Sequence, residues 1–200
     1  RLMVRLCKGA YWDAEIKMTQ ERGLADYPVF TRKVASDVSY LACARRLFAD
    51  PVAFYPAFAT HNAHTLAAVA EIAISAGGND EWEYQRLHGM GEELYEQIVG
   101  TDKWDRPCRV YAPVGSHEDL LSYLVRRLLE NGANSSFVNR IADATLPIDA
   151  LIADPVEKAA ALTSKRQTRI PLPHALFGAE RANSQGPDMN DQPTLDELRS

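Results

Sequence analysis

The sequence predicts an α/β fold of about four β-then-α units with parallel strands. Three observations carry that prediction. Short apolar segments of strand length alternate with longer helical stretches over residues 1–143. Glycines stand where several of the helices should stop, at Gly23, Gly77, Gly78 and Gly132. Across the 200 residues, 46% are hydrophobic and 24% charged, which sustains a buried core and excludes a disordered chain. Successive β-then-α units imply right-handed crossovers between parallel strands. A doubly wound sheet and a (β/α) barrel both satisfy this pattern, and four units would be half of an eight-fold barrel.

The elements follow in order. "LMVRLC" (2–7) reads as the first strand, ended by "KGA". "YWDAEIKMTQERG" reads as a helix closed near Gly23, and "YPVFT" (27–31) as a short extended link. "RKVASDVSYLACARRLFAD" is a strong helix, and "AFYPAFAT" (53–60) the second strand. "HNAHTLAAVAEIAISAGG" is an alanine-rich helix, "YQRLH" (84–88) the third strand and "GEELYEQIVG" another helix. "CRVYAPV" (108–114) gives the fourth strand. In "SHEDLLSYLVRRLLENG", Ser116 can cap the helix, with Asp119 three residues on. After Asp143 the chain mixes short helical pieces with Pro, Asn and Ser, and "NSQGPDMNDQP" is linker-like. The expected organisation is therefore a β/α segment over 1–143 and a helical and irregular tail over 144–200. The abrupt start suits a piece of a longer protein.

A net charge of −5 argues against a nucleic-acid binder. No apolar run approaches the roughly 18 residues of a membrane span, and no signal peptide is visible. The three cysteines, Cys7, Cys43 and Cys108, are widely spaced among apolar neighbours, so buried free thiols in a reducing compartment are expected. His61 and His64 are three apart, but no carboxylate or cysteine joins them, and no metal site is read here.

In parallel β/α folds, function sits at the carboxyl ends of the strands. Those positions here are Arg5 to Trp12, Thr60 to Asn62, Gln85 to His88 and Tyr111 to Ser116. Arg5 either pairs with a nearby carboxylate or meets a ligand. Gly9 and Ala10 can serve a turn only, or let a backbone approach phosphate. Thr60, His61 and Asn62 can hold a pyrophosphate or cap the helix that follows. Gly89 and Gly91 lack the third glycine of a Rossmann turn. On the last helix, Tyr123, Arg126, Arg127 and Glu130 share one face, and leucines cover the rest. That polar stripe is either a solvated salt-bridge row or a fork-like clamp for a small carboxylate.

Several stretches together resemble one family. "VRLCKGAYWD", "YPVFTRK", "DVSYLACAR", "FATHNAHT", "YQRLHGMGE" and "RVYAPVGSHEDLLSYLVRRLLENGANSSFVNR" resemble the proline dehydrogenase domain of the bifunctional bacterial proline utilisation A family. "RIPLPHALFGAERANSQG" resembles the segment leading to that family's second, aldehyde dehydrogenase domain.

The resemblance implies the C-terminal half of a distorted (β/α)8 TIM-type barrel over 1–143, with a linker over 144–200. It implies oxidation of L-proline to Δ1-pyrroline-5-carboxylate, with hydride passing to N5 of FAD and electrons to a membrane quinone. It further implies a cytoplasmic homo-oligomer, transiently peripheral to the inner face of the membrane, with no nucleic-acid contact from this segment. Residue by residue, Arg126 and Arg127 match the pair that holds the proline carboxylate. Tyr111 and Leu87 match residues lining the proline ring, with Tyr11 near the same pocket. Arg5 matches the strand arginine beside the flavin's reactive edge. Cys7, Lys8, Gly9, Ala10, Trp12, Thr31, Thr60, His61, Asn62, Gln85, Glu130 and Phe137 match positions around the cofactor. A lysine, an aspartate and a glutamine that the family draws from its first half have no match here. A half barrel exposes two sheet edges, so this segment by itself is not expected to hold FAD.

Overall fold

A computed structural model describes residues 1–9, 11–78, 80–132, 145 and 147–200, with the side chains of 130–132 left aside. The described chain forms two compact units: Arg1–Ala10 with Ser36–Ala160, and Tyr11–Ala35 with Ala161–Ser200.

The first unit is built on four parallel strands: β1 (Leu2–Cys7), β2 (Phe54–Ala59), β3 (Glu83–Leu87) and β4 (Cys108–Tyr111). Their spatial order is β1-β2-β3-β4, the order of the chain. Helix α2 (Lys33–Phe48) leads into β2, and α3 (Ala63–Ser75) joins β2 to β3. The short α4 (Glu92–Glu96) joins β3 to β4, and α5 (His117–Gly132) follows β4. Pro56 cannot donate to a ladder, and the β2–β3 pairing begins just after it, at Ala57↔Glu83.

Alternation along the strands gives the sheet two faces. One carries Val4, Leu6, Phe58, Tyr84 and Cys108, which pack with Tyr40, Leu41, Ala44, Leu47 and Phe48 of α2 and Leu66, Val69, Ile72 and Ala73 of α3. This core is aromatic at its centre. Phe48 stacks on Phe58 at 5.1 Å between ring centroids, and Trp82 meets Phe48, Phe58 and Tyr84 edge-on at 5.5, 5.8 and 4.8 Å. The buried Tyr84 hydroxyl donates to the Leu66 carbonyl at 2.7 Å, so its polar tip costs no unpaired group.

The second unit holds α1 (Trp12–Arg22), which ends at Gly23 in the left-handed conformation (φ 63°). A Cβ there would collide with the Ser184 carbonyl, so glycine is required on two grounds. The 161–200 segment is tied to this helix and its following loop. Asn183 donates its side-chain amide to the Gln20 carbonyl at 2.8 Å, and Gly186 N–H reaches the Gly23 carbonyl at 3.1 Å. Tyr27 donates to the Pro171 carbonyl at 2.7 Å, and Arg32 to the Arg166 carbonyl at 2.9 Å.

Three expectations change. The helix expected over 91–100 runs only over Glu92–Glu96. Beyond it the Ile98 and Val99 N–H groups both turn back to Tyr95 and Gly100 sits at φ 121°, as two β-branched residues before a glycine favour. The fourth strand stops at Tyr111 rather than 114, because Pro113 offers no donor and restricts the residue before it. The cysteines are free, but Cys7 and Cys43 are exposed and Cys108 is only half-buried. Cys7 lies on the sheet face away from the helices, and Cys43 points away from the side of α2 that carries Tyr40, Leu41 and Ala44. For Cys7 and Cys43, apolar neighbours in sequence did not become a buried setting, whereas Cys108 packs against the core.

Candidate active site at the strand ends

The second face of the sheet is polar. In register, Arg5 and Cys7 of β1 lie beside Ala57 and Ala59 of β2, then Glu83, Gln85 and Leu87 of β3, then Arg109 and Tyr111 of β4. The two alanines leave the middle of this face low. Arg5 therefore reaches across β2, and its Nε donates to Gln85 Oε1 at 2.8 Å. Its guanidinium carbon stands 4.7 Å from the centre of the Tyr111 ring, within cation–π range. Burial pushes the Tyr111 hydroxyl's pKa up, while the Arg5 charge opposes that rise.

Behind this pair lies a carboxylate that the sequence reading missed. Glu83 is 4% exposed. Arg109 donates to its two oxygens at 2.7 and 2.8 Å, a fork-on-carboxylate geometry. Gln85 Nε2 also donates to Glu83 Oε1 at 2.8 Å, and Tyr55 reaches Oε2 at 3.4 Å. The Arg109 bonds hold the Glu83 carboxyl below its ordinary range, against the upward push of burial. Period-two alternation through Gln85 and Tyr111 would have placed Glu83 and Arg109 on the same face.

At the β2 end, Asn62 caps α3: its side-chain oxygen accepts from Thr65 N–H at 2.9 Å, and the Thr60 hydroxyl accepts from Asn62 N–H at 3.1 Å. The capping alternative is thus realised for Asn62. His61 Nε2 accepts the Leu87 N–H at 3.1 Å, joining the ends of β2 and β3. Burial first, then the Arg86 and Arg127 charges, lower the His61 pKa. A neutral ring that accepts at Nε2 carries its proton on Nδ1. The Tyr95 hydroxyl donates to the Thr60 carbonyl at 2.8 Å and lies 3.3 Å from the Gln85 carbonyl, pinning the same two strand ends. Gly91, at φ 68°, lets the chain pass His61; a Cβ there would come within 3.1 Å of His61 Cδ2.

Helix α5 reverses the usual amphipathic rule. Ser116 Oγ accepts from Asp119 N–H at 3.3 Å and donates to the Asp119 carboxylate at 2.8 Å, which starts the helix as its sequence predicts. Its polar residues Tyr123, Arg126 and Arg127 are half-buried, whereas Leu128 and Leu129 are 72% and 69% exposed. The Arg127 guanidinium lies 5.1 Å from the Tyr123 ring centre, and its Nε and Nη2 are shielded from solvent. Its charge acts on both Tyr111 and His61. Arg5, Gln85, Tyr111, His61 and Arg127 are therefore linked by contact or by field in one unit.

The remaining positions fall elsewhere. Lys8 turns to the helix side, where its ammonium pairs with Asp37 at 2.5 Å and donates to Thr65 Oγ1 at 3.0 Å. A Cβ on Gly9 would meet only open space. Tyr11, Trp12 and Thr31 belong to the second unit. There Trp12 Nε1 donates to the Phe30 carbonyl at 2.8 Å, and Thr31 Oγ1 accepts from Gln167 N–H at 2.9 Å. Ala10, Phe137 and the Glu130 side chain lie outside the described residues. Among the described residues, no group of three His, Cys, Asp or Glu side chains could hold a metal ion. Among them, too, no helix is long and apolar enough to cross a membrane.

Residues 1–140 match the proline dehydrogenase family. The chain belongs to that family. It is 58% identical over its full length to the bifunctional protein PutA of Salmonella typhimurium, covering 16% of that protein. Against PutA of Rhizobium meliloti the identity is also 58%, over 99% of the chain and 16% of the relative. The crystal structure of a mutant of Bradyrhizobium japonicum proline utilization A (PutA) superposes with a TM-score of 0.88 at 55% identity, over 99% of this chain and 20% of that one. The chain thus spans about a sixth of the length of the PutA relatives it matches. As a proline dehydrogenase family member it keeps the expected α/β class, with parallel strands in chain order.

Proposed function

We propose that this chain supplies the second half of the barrel and active site of an FAD-dependent enzyme that oxidises L-proline to Δ1-pyrroline-5-carboxylate. The observation that carries the reading is the cationic, aromatic cluster at the strand ends, with Arg5 against Tyr111 and the half-buried arginine pair of α5. A solvated salt-bridge row would not turn its arginines inward and its leucines outward.

The donor set suits an anionic flavin dinucleotide. Arg5 offers positive charge on the open sheet face, His61 a neutral ring with an N–H at Nδ1, and Gly9 an unobstructed backbone. In the first unit Arg5, Cys7, Gly9, Thr60, His61 and Gln85 would hold FAD, while the Lys8 ammonium and the Asn62 side chain stay with Asp37 and the α3 cap; the family resemblance alone assigns Ala10, Trp12, Thr31, Glu130 and Phe137 to the cofactor. What FAD supplies when bound is an acceptor for hydride at N5.

The chain's own residues do the rest. Arg126 and Arg127 clamp the substrate carboxylate through forked donors. Tyr111 and Leu87 shape an apolar and aromatic wall for the pyrrolidine ring, and the family resemblance alone adds Tyr11. Arg5 places a fixed positive charge where negative charge grows during the reaction. In the whole protein, electrons leave to a membrane quinone during transient peripheral association, and an aldehyde dehydrogenase domain on the same polypeptide takes the product. Residues 144–200 would lead towards that domain, and the assembly would be a cytoplasmic homo-oligomer.

One experiment tests the reading. The flavin absorbance of the purified full-length protein should bleach on anaerobic addition of L-proline. A flavin that proline leaves oxidised, or a full-length protein that binds none, would reject it in favour of a docking scaffold or another carboxylate-binding barrel.

A further inference from the structure

We propose that Glu83, braced by Arg109, is a positioning residue that sets the orientation of Arg5 through the side-chain amide of Gln85. The inference rests on the reading of Arg5 as the charge beside the redox cofactor.

The geometry is a relay of four side chains from three strands. Arg109 of β4 grips both oxygens of Glu83 at 2.7 and 2.8 Å. Glu83 accepts from Gln85 Nε2 at 2.8 Å, and Gln85 Oε1 accepts from Arg5 Nε at 2.8 Å. An ionised carboxylate can only accept. It therefore fixes which end of the Gln85 amide faces it, and leaves the oxygen for Arg5. The donor-only Arg5 guanidinium asks for the same oxygen, so both contacts favour one amide orientation. The buried carboxylate's share is to anchor the NH2 end of that amide, which holds in place the acceptor that Arg5 uses. Arg5 is then held by its Nε and by the Tyr111 face, with Nη1 directed towards Cys7 Sγ at 3.7 Å.

The Glu83 carboxylate is 4% exposed. A core glutamate is costly unless paired and hydrogen-bonded. Its partners are the exposed Arg109, the amide that orients Arg5, and Tyr55. For packing alone, an apolar residue of similar size would serve as well.

The test is a mutant cycle in the full-length holoenzyme. Glu83→Gln should lower kcat for proline about tenfold, with the KM for proline changed less than about twofold, because the clamp on α5 is untouched. In a Gln85→Ala background, the same substitution should have no further effect on kcat, since the relay is already cut. Arg109→Gln, at an exposed arm of the relay, should move kcat in the same direction by a smaller factor and also fall silent in that background. It keeps the test open if Glu83→Gln fails to fold. The flavin midpoint potential should drop in both single variants, a readout that loss of packing alone would not move. Equal losses of kcat with and without Gln85 would make Glu83 merely structural and overturn the proposal. Unaltered kcat and potential in the single variants would do so too. A wild-type protein whose flavin proline does not bleach would instead reject the parent reading.

Discussion

The two faces of the same four strands are built by opposite rules. The helix-facing side is dry and aromatic: Phe58 and Tyr84 are fully buried, Phe48 of α2 stacks on Phe58 of β2, and Trp82 meets all three rings edge-on. The other side carries Arg5, Glu83, Gln85, Arg109 and Tyr111, joined by directional bonds. Alternation means that each strand serves both at once. Packing on one side holds the backbone still, and the other side uses that stillness to place charges. The alanines of β2 belong to the second task, because larger side chains there would block Arg5 from Gln85.

The largest effect should come from the dry side. Phe58→Ala in the full-length protein should cost about 4 kcal/mol, seen as earlier unfolding of this domain in denaturant. If proline kinetics suffered at denaturant-free conditions as much as stability did, the division of labour would be wrong. On the polar side, Arg127→Met should raise the KM for proline about a hundredfold, a loss of roughly 3 kcal/mol of anion binding. Bound flavin should stay largely intact. Unchanged proline kinetics would sink the clamp assignment.

Smaller effects sharpen the seam between the faces. Gly91→Ala should cost about 1–2 kcal/mol, because alanine is strained at a left-handed position and its Cβ would press on His61. Flavin affinity should fall with it. Removing the α3 cap by Asn62→Ala should cost about 1 kcal/mol, visible as a lower thermal midpoint. His61 should also give the domain a pH signature. Its folded pKa lies below the ordinary 6.5, so the unfolded chain binds the extra proton first. Stability from this site is complete above pH 6.5 and declines as the pH falls towards the folded value. His61→Gln should flatten that decline in unfolding midpoints measured between about pH 7.5 and 5.5.

Much of this was legible in the residues. The four strands appear within a few positions of their expected ranges, because apolar runs bounded by glycine and proline fix them strongly. Arg5, Gln85, Leu87 and Tyr111 share one face as alternation demands. Glu83 was lost because the third strand was expected to begin one residue later, which left it in a loop. Arg109 was lost because an exposed strand arginine looks ordinary until its partner is known. The alternatives at Asn62 could not be separated, since a cap and a ligand donor use the same residue types. The outward leucines of α5 were the hardest to anticipate. A wide apolar helix surface was evident, but which side faced the strand ends depends on tertiary docking rather than on periodicity.

The sheet order has a consequence for how the first unit can be made. Because β1, β2, β3 and β4 neighbour one another in chain order, no strand waits for a later one to be inserted between it and its partner. Each new β-then-α unit leaving the ribosome finds its docking edge already present. Synthesis and assembly can then advance in step, and at every stage the growing sheet offers the next strand the edge it was built to take.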